Sequence, residues 1–278
     1  MTGMFLINLK NRGLIPSALF VDNFPEDQQT ASGATETNVR AFRAHLGGIL
    51  SRKIDRGLET ADKSQETQAK IVDRAVRLAA VRGLDGFSIG DLAKELNMSK
   101  SGLFAHFGSR ENLETAIVER ARVLFFAYVL DPVEQDEPEG IERLWTLCDN
   151  WLTFVEREVL SGGYFFTGAL FQRAGQRDAV SRIITNTVRR WVEALTEAVD
   201  GANEKGELSP DVDASPTALE LNGILLGTHC SHLLGLQSRE SARVVILRRL
   251  SGLATEKIPA DAFDSLAHWR DYLESRHP

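Results

Sequence analysis

A segment of twenty residues, from Ser88 to Phe107, carries the residue pattern whose chemistry is easiest to define; its sequence is SIGDLAKELNMSKSGLFAHF. Ser88 is followed three residues later by Asp91, a capping box that predicts the start of a short helix. Ser99 can cap a second helix, from Lys100 to the end of the segment. Two short helices in tandem form the helix-turn-helix arrangement, whose second helix enters the major groove of DNA. The predicted chemistry is therefore non-covalent recognition of DNA.

The turn between these two helices contains the residue types that a steep crossing requires. Asn97 is one of the few residues other than glycine that tolerates a left-handed backbone, so it can end the first helix. Ala93 is small enough to let the two helices approach closely. The apolar residues of the segment are predicted to form the shared core: Leu92, Leu96, Met98, Leu103 and Phe107.

A second group of chemically capable side chains is His229, Cys230 and His232. The two histidines lie three residues apart and would share one helix face, which is compatible with metal binding. A metal site needs further ligands, and the neighbouring sequence supplies none, so packing within the helix or at a dimer seam is favoured. The chain has no nucleophile motif, glycine-rich phosphate loop or HExxH string, and we expect neither an enzyme nor a cofactor or metal. A metal-dependent enzyme or metal sensor is the competing hypothesis.

Composition limits the class of protein. The chain has 278 residues, of which 43% are hydrophobic and 26% charged, as in a folded protein of one or two domains. Its longest apolar run, Val123–Leu130, is far shorter than the about 20 residues that span a bilayer. Two cysteines are too few for a disulfide framework. These features predict a cytoplasmic protein that does not bind a membrane.

Charge is unevenly distributed along the chain. The net charge of −7 divides into −2 over residues 1–37, +4 over residues 38–112 and −9 over residues 113–278. A basic segment in front of an acidic body is expected where one part of a protein meets a polyanion and the rest does not.

Four regions are predicted. Residues 1–63 form a flexible extension that includes a polar linker, Asp22–Thr37, and a basic stretch, Asn38–Leu58. This stretch could be an arm that reaches DNA or part of a disordered extension. Residues 64–112 form the helix-turn-helix domain, residues 113–255 a helical regulatory and dimerisation domain, and residues 256–278 a tail.

Helical periodicity without strand alternation predicts an all-α fold. Ser215 and Pro216 predict a cap and a first helical residue for one of the body helices. The predicted helices beyond the helix-turn-helix segment are Leu113–Leu130, Ile141–Leu160, Ala179–Val199, Thr217–Leu236, Ser241–Leu253 and a final piece, Ala262–Leu273, which could pack or lie loose.

Residues from about Thr67 to Glu119 resemble the DNA-binding domain of the tetracycline-repressor (TetR) family of bacterial transcriptional regulators, most clearly in the run MSKSGLFAHFGSRENL. The resemblance implies a three-helix head over residues 64–108 and a connecting helix that begins near Ser109. It also implies a helical C-terminal domain that dimerises and, in most members, binds a small molecule.

The resemblance assigns roles to individual residues. Ser88 should meet a phosphate at the start of the first short helix, and Lys100 and Ser101 should contact base edges. Ser109 and Arg110 should hold the DNA backbone. The full set of expected DNA contacts is Ser88, Ser99, Lys100, Ser101, Gly102, Phe104, His106, Ser109 and Arg110.

Three positions depart from the family pattern. Ser101-Gly102 stands where Gly-Thr or Gly-Ser is frequent, so one hydroxyl contact is lost or shifted. Phe104 replaces a common tyrosine and cannot donate a hydrogen bond to phosphate. Gly90 stands where a basic residue is frequent.

Aromatic residues are frequent in the C-terminal body. Such residues line many small-molecule pockets, although the same spacing is typical of a helical core. The residues predicted to line a pocket for a small apolar or amphipathic ligand are Trp145, Trp151, Phe154, Phe165, Phe166, Trp191 and His229.

The resulting functional hypothesis is a homodimeric repressor that a small molecule releases from a palindromic, double-stranded DNA operator. The alternative is a DNA-binding regulator whose C-terminal domain binds a protein or a metal instead.

Overall fold

The computed structural model describes residues 47–157, 159–160, 165–236 and 238–276, with side chains from residue 64 onward except that of residue 239. The chain divides into two compact units, Met1–Lys63 and Ser64–Pro278. The second unit holds the helix-turn-helix segment and the helical body. The predicted linker Asp22–Thr37 lies outside the described residues, as does the predicted basic stretch up to residue 46.

Every regular element of the described residues is a helix, which confirms the all-α prediction. The first four elements form the head and the connecting helix. They are α1 (Gly47–Arg82), α2 (Ile89–Glu95), α3 (Lys100–Phe107) and α4 (Arg110–Phe125).

The body follows α4 without a break, since a π-helical segment, Phe126–Leu130, continues the connecting helix. The remaining helices are α5 (Asp131–Asp136), α6 (Gly140–Glu156), α7 (Phe165–Gln172), α8 (Ala179–Glu204), α9 (Ala214–Leu233), α10 (Arg239–Ser251), a 3₁₀ turn (Ala260–Phe263) and α11 (Leu266–Ser275).

Side-chain caps define the starts of the three helices of the DNA-binding segment. The Ser88 hydroxyl accepts a hydrogen bond of 3.1 Å from the backbone N–H of Asp91, and the Asp91 carboxylate accepts one from the backbone of Ser88, so the predicted capping box is present. The Ser99 hydroxyl caps α3 by accepting from the N–H of Gly102. Ser109 caps α4 in the same way.

The turn and core of the helix-turn-helix also match the prediction. Asn97 has a left-handed backbone with φ of 54°. The N–H of Met98 donates to the carbonyl of Ala93, and this contact closes the turn. Of the five predicted core residues, Leu92, Leu103 and Phe107 are buried and Leu96 and Met98 are half-buried. Ala93, the small residue at the helix crossing, is also buried.

The long helix α8 is the centre of the body and packs against α4, α6 and α9. Its Trp191 is fully buried and meets the ring of Phe125, from the connecting helix, edge-on at 5.8 Å. Edge-on aromatic pairs add to the stabilisation that burial alone provides. The connecting helix is therefore fixed in the core of the body.

The tail packs as a helix. Trp269 of α11 is 1% exposed, and its ring lies 5.7 Å from that of Trp145 in α6. Arg276, at the end of α11, pairs with Glu207 at 2.9 Å. Of the two possibilities left open by the sequence, the structure shows the packed one.

Several predicted boundaries were wrong by a few residues. The predicted cap of α9 at Ser215 is displaced, because Asp213 caps the helix and Pro216 occupies its third position. The same helix ends at Leu233 rather than Leu236, where Gly235 takes a left-handed backbone. The predicted helix Ile141–Leu160 ends earlier, at Glu156.

Candidate nucleic-acid interface

One face of α3, from its first residue to its C-terminal cap, presents an open groove. Its lining residues are Lys100, Ser101, Phe104, Ala105 and Gly108, so three of the predicted DNA contacts share one surface. Lys100 is exposed and forms no hydrogen bond or ion pair with the described part of the chain. Its ammonium group is available to a negatively charged or hydrogen-bond-accepting partner.

The cap of α3 determines what the neighbouring hydroxyls can do. The Ser99 hydroxyl accepts from the N–H of Gly102 at 3.0 Å and lies 3.3 Å from the Ser101 hydroxyl. A Cβ atom at position 102 would lie 3.0 Å from the Ser99 oxygen, so glycine leaves room for the cap. Ser99 and Gly102 thus build the first turn of α3, and Ser101 is exposed beside it.

Phe104 differs from the other aromatic residue of α3. Phe107 is 7% exposed and belongs to the core, whereas Phe104 is 42% exposed. An exposed aromatic ring one turn beyond Lys100 can make apolar contact with a base, although it cannot donate a hydrogen bond to phosphate.

His106 lies near the end of α3 with its side chain half-buried. The amide Nε2 of Gln68 donates to the backbone carbonyl of His106 at 3.3 Å. This bond ties the end of α3 to α1, the first helix of the head.

Ser88 and its helix N-terminus are already occupied by a carboxylate. The Ser88 hydroxyl donates to the Asp91 carboxylate at 2.7 Å, and the Ser88 N–H donates to it at 2.9 Å. These hydrogen bonds hold the pKa of Asp91 below its ordinary value, because they favour the charged form. The carboxylate uses the same N–H group that a phosphate would need at this helix end.

Arg110 binds the protein itself. Its guanidinium donates to the carbonyls of Leu84 at 3.1 Å and Phe87 at 3.2 Å, and its Nε donates to Glu114 at 2.6 Å. The side chain is 42% exposed, so one side remains open to solvent. Arg110 fixes the loop between α1 and α2 against α4, and contact with a phosphate stays a prediction.

Arg173, just after α7, was not among the predicted site residues. Its guanidinium pairs with Glu114 of α4 and Asp178, the cap of α8, and lies 3.7 Å from Asp85 of the head. Burial alone would lower the pKa of Arg173, but the hydrogen bond and charge of Glu114 outweigh it and raise the pKa. No local sequence pattern signals the contacts with Glu114 and Asp85, because these partners are 59 or more residues away in sequence.

The neighbouring residue, Gln172, makes a second link between body and head. Its side-chain oxygen accepts a hydrogen bond of 3.0 Å from the backbone N–H of Leu84. Its amide lies over Gly83, where a Cβ atom would be 2.0 Å from the Gln172 nitrogen. The turn after α1 is therefore held by the end of α7.

Most of the predicted ligand-lining aromatics pack against one another. Phe154, Phe166 and Trp191 surround Phe125 at centroid distances of 5.6–5.8 Å. Phe165 meets Phe166 edge-on at 5.2 Å. The structure places these rings in the hydrophobic core, and their contact with a ligand stays a prediction.

Trp151 and His229 lie apart from that cluster. Their rings meet edge-on at 6.0 Å, and His229 lines a narrow cleft with Glu156 and His232. Burial, and secondarily the charge of His232, lower the pKa of His229. Within the part of the chain that the structure describes, no three His, Cys, Asp or Glu side chains are arranged to hold a metal ion.

Within the described residues, no helix is both long enough and apolar enough to cross a bilayer.

Two segments of the chain match known protein families. Residues 71–123 match the family described as bacterial regulatory proteins, tetR family, and residues 140–246 match the tetracyclin repressor-like C-terminal domain. This chain belongs to the TetR family of transcriptional regulators. The resemblance of the sequence to that family is thereby confirmed for head and body. Members of the TetR family bind DNA and are not enzymes.

Curated relatives of this TetR-family protein match it in part. The biofilm operon icaADBC HTH-type negative transcriptional regulator IcaR of Staphylococcus epidermidis is 31% identical over 91 residues, which are 33% of this chain and 48% of that protein. IcaR of Staphylococcus aureus strain Newman is 39% identical over 44 residues, 16% of this chain and 24% of that protein. The chain therefore spans about half or less of these relatives' length.

Solved structures share the fold over most of the described part of the chain. A TetR regulator from Chloroflexus aurantiacus superposes with a TM-score of 0.61 at 22% identity, covering 69% of this chain and 98% of that one. AibR, in a complex with isovaleryl coenzyme A and operator DNA, superposes with a TM-score of 0.56 at 25% identity, covering 67% and 97%. The helix-turn-helix head and helical body are thus the TetR fold, as predicted.

Proposed function

We propose that this protein is a homodimeric transcriptional repressor that binds a palindromic operator through α3 and leaves it when a small organic molecule binds the body. The observation that carries the proposal is the open groove along α3, which Lys100 lines without an ion pair or hydrogen bond to the described residues. The relative IcaR is a negative regulator, and the neighbour AibR holds both a small molecule and operator DNA. A protein that acts on bacterial operators works in the cytoplasm.

The groove offers two kinds of contact to the base edges. Lys100 can donate hydrogen bonds to guanine O6 and N7, and the Ser101 hydroxyl can donate or accept. The exposed Phe104 ring can contact a thymine methyl group. Together they favour direct recognition of sequence by the first two turns of α3.

Backbone contacts would come from the edges of the head. Ser88, His106, Ser109 and Arg110 are exposed or half-exposed in the structure. The imidazole, the guanidinium and the Ser109 hydroxyl can bind phosphate oxygens, which position a protein on DNA without reading its sequence. Ser88 can do so only when its hydroxyl leaves the Asp91 carboxylate to which it now donates. Ser99 and Gly102 contribute by building the first turn of α3 in the orientation that exposes Lys100.

Dimerisation is supported by one exposed face of α9. Leu219, Gly223, Gly227, Cys230 and Leu233 recur at helical spacing along it, and both leucines are more than half exposed. A Cβ atom added at either glycine would meet nothing within 4 Å. A stripe of leucines and glycines on a long helix suits close packing against a second copy around a two-fold axis.

Selection of DNA from a random double-stranded library tests this function. The proposal predicts that the purified protein enriches an inverted repeat with half-sites about one helical turn apart or slightly more. Analytical ultracentrifugation of the selected complex should show two protomers per repeat or a multiple of two. Enrichment of a single unrepeated site, or no enrichment over the input library, would contradict the proposal.

A further inference from the structure

A cavity of about 420 Å³ lies where the head meets the body, and one of its walls, Tyr128, contacts Phe154 of the aromatic core at 6.2 Å. Its walls come from α1, α4, the π-helical segment and the turn after α6. The lining residues are Asp73, Val76, Arg77, Arg120, Leu124, Tyr128, Arg157 and Val159. We propose that this cavity is the effector site and that it binds an organic anion, a carboxylate or phosphate ester with a short apolar group. This inference rests on the proposed function, since it names the ligand class and the site of that regulator.

Charge within the cavity favours an anion. Three arginines and one aspartate line it, and Asp73 pairs with Arg120 at 2.7 Å. Arg77 and Arg157 form no ion pair with the described residues. Both guanidinium groups therefore line the cavity without a carboxylate partner among the described residues, and an anion in the cavity would supply one. Guanidinium groups also bind carboxylate and phosphate with paired hydrogen bonds.

The remaining cavity walls indicate the character of the uncharged part of the ligand. Val76 is buried, Leu124 and Val159 are half-buried, and the Tyr128 ring is 43% exposed. Arg77 and Arg157 are themselves exposed, so the charged groups lie toward solvent and the apolar ones toward the interior. A cavity of this size and mixed character fits a small amphipathic ligand.

The position of the cavity explains how its ligand would act on DNA binding. Arg77 belongs to α1 of the head, whereas Arg157 follows α6 of the body. An anion held by both would favour one arrangement of head and body over others. Such a ligand changes the DNA affinity in proportion to its preference between these arrangements.

Isothermal titration calorimetry on the full chain, without DNA, tests the site. The probes are octanoate and octyl phosphate, with 1-octanol as the neutral chain and inorganic phosphate as the charge without a chain. We expect saturable binding of at least one anionic probe and weaker binding of both controls. The variants Arg77→Gln and Arg157→Gln should each bind that anionic probe about ten-fold more weakly than wild type, or weaker still. Arg189→Gln, an exposed arginine of α8, should leave it unchanged.

Each outcome decides between the two proposals. No binding of either anion at millimolar concentration, or equal binding by wild type and both cavity variants, overturns the site. Equal binding of 1-octanol would show an apolar site and also overturn it. Fluorescence anisotropy on the selected operator is measured separately: anion binding that leaves DNA affinity unchanged would keep the site but refute ligand release. If the protein binds no DNA, the repressor function is refuted. The calorimetric result for the anionic probes then still shows whether the cavity binds an organic anion.

Discussion

Arg173, which follows α7 of the body, donates a hydrogen bond to Glu114 of the connecting helix, and both side chains are about nine-tenths buried. Glu114 also accepts from Arg110, which holds the loop between α1 and α2. The Glu114 carboxylate thus binds both Arg110, next to the head, and Arg173 of the body. Because the connecting helix lies between the two, this pair contributes to fixing the head on the body.

Removal of Arg173 should destabilise the protein. Breaking a buried ion pair costs about 3–5 kcal/mol, but Glu114 keeps Arg110, so we expect Arg173→Met to lower the free energy of unfolding by about 2–3 kcal/mol. Urea unfolding followed by circular dichroism measures the change. Arg177→Met, at an exposed position four residues later, is the matched control and should have little effect. Similar stability of the two variants would refute the role of the pair.

Two serines of the DNA-binding segment should separate folding from recognition. Ser99→Ala removes the cap of α3 and should cost about 1 kcal/mol of stability. Ser101→Ala leaves every backbone cap intact and should change stability by less than about 0.5 kcal/mol. Ser101→Ala should instead bind the selected operator more weakly than wild type. The assignment is wrong if Ser101→Ala is the more destabilised variant or binds DNA like wild type.

The lowered pKa of His229 predicts how stability depends on pH. Burial, and then the charge of His232, make the folded protein hold this proton less tightly than the unfolded chain does. The contribution of neutral His229 to the stability of the folded protein is therefore complete above the ordinary histidine pKa of about 6.5. This contribution is lost as the pH falls through the lowered pKa of His229. Between pH 7 and pH 5, His229→Gln should lose less stability than wild type in urea titrations. The exposed His268→Gln should behave like wild type; an unchanged slope for His229→Gln would contradict the prediction.

The exposed face of α9 predicts the oligomeric state. Gly227→Arg would place a charged side chain in the proposed dimer seam, so light scattering after size exclusion should show a monomer. Gly201→Arg, where an added Cβ also meets nothing within 4 Å but which lies on α8, should remain a dimer. Dimeric Gly227→Arg protein would exclude this face as the interface.

Cross-linking provides an independent readout of the same face. Cys230 is exposed on it, whereas Cys148 is buried, and burial, aided by Asp149, raises the pKa of its thiol to about 12. At neutral pH only Cys230 should react with a short bis-maleimide, and it should yield covalent dimers that Cys230→Ser lacks.

Features that depend on neighbours in sequence were predictable. The capping box of Ser88 with Asp91 and the cap of Ser99 on Gly102 each span three residues, so their sequence spacing is enough to locate α2 and α3. The left-handed backbone of Asn97 follows from residue type alone. These local rules identified the helix-turn-helix segment.

Features that depend on distant packing were not predictable in the same way. Arg77, Arg120 and Arg157 meet at one cavity only because three separate elements converge there. Likewise, the core packing of Phe154 and Trp191 around Phe125 follows from how α6 and α8 pack against α4. Their helical spacing is the same for a core and for a pocket wall, so the sequence left both possibilities open.

Fluorescence anisotropy with the selected operator and with scrambled DNA, over a salt series, tests the central claim that α3 reads DNA through Lys100. Lys100→Ala should weaken operator binding by about 1–3 kcal/mol and scrambled DNA binding by much less. Arg189→Gln, on the exposed face of α8, serves as the charge-loss control. Equal loss on both DNAs would show that Lys100 meets only phosphate, and unchanged operator binding would contradict the account of α3.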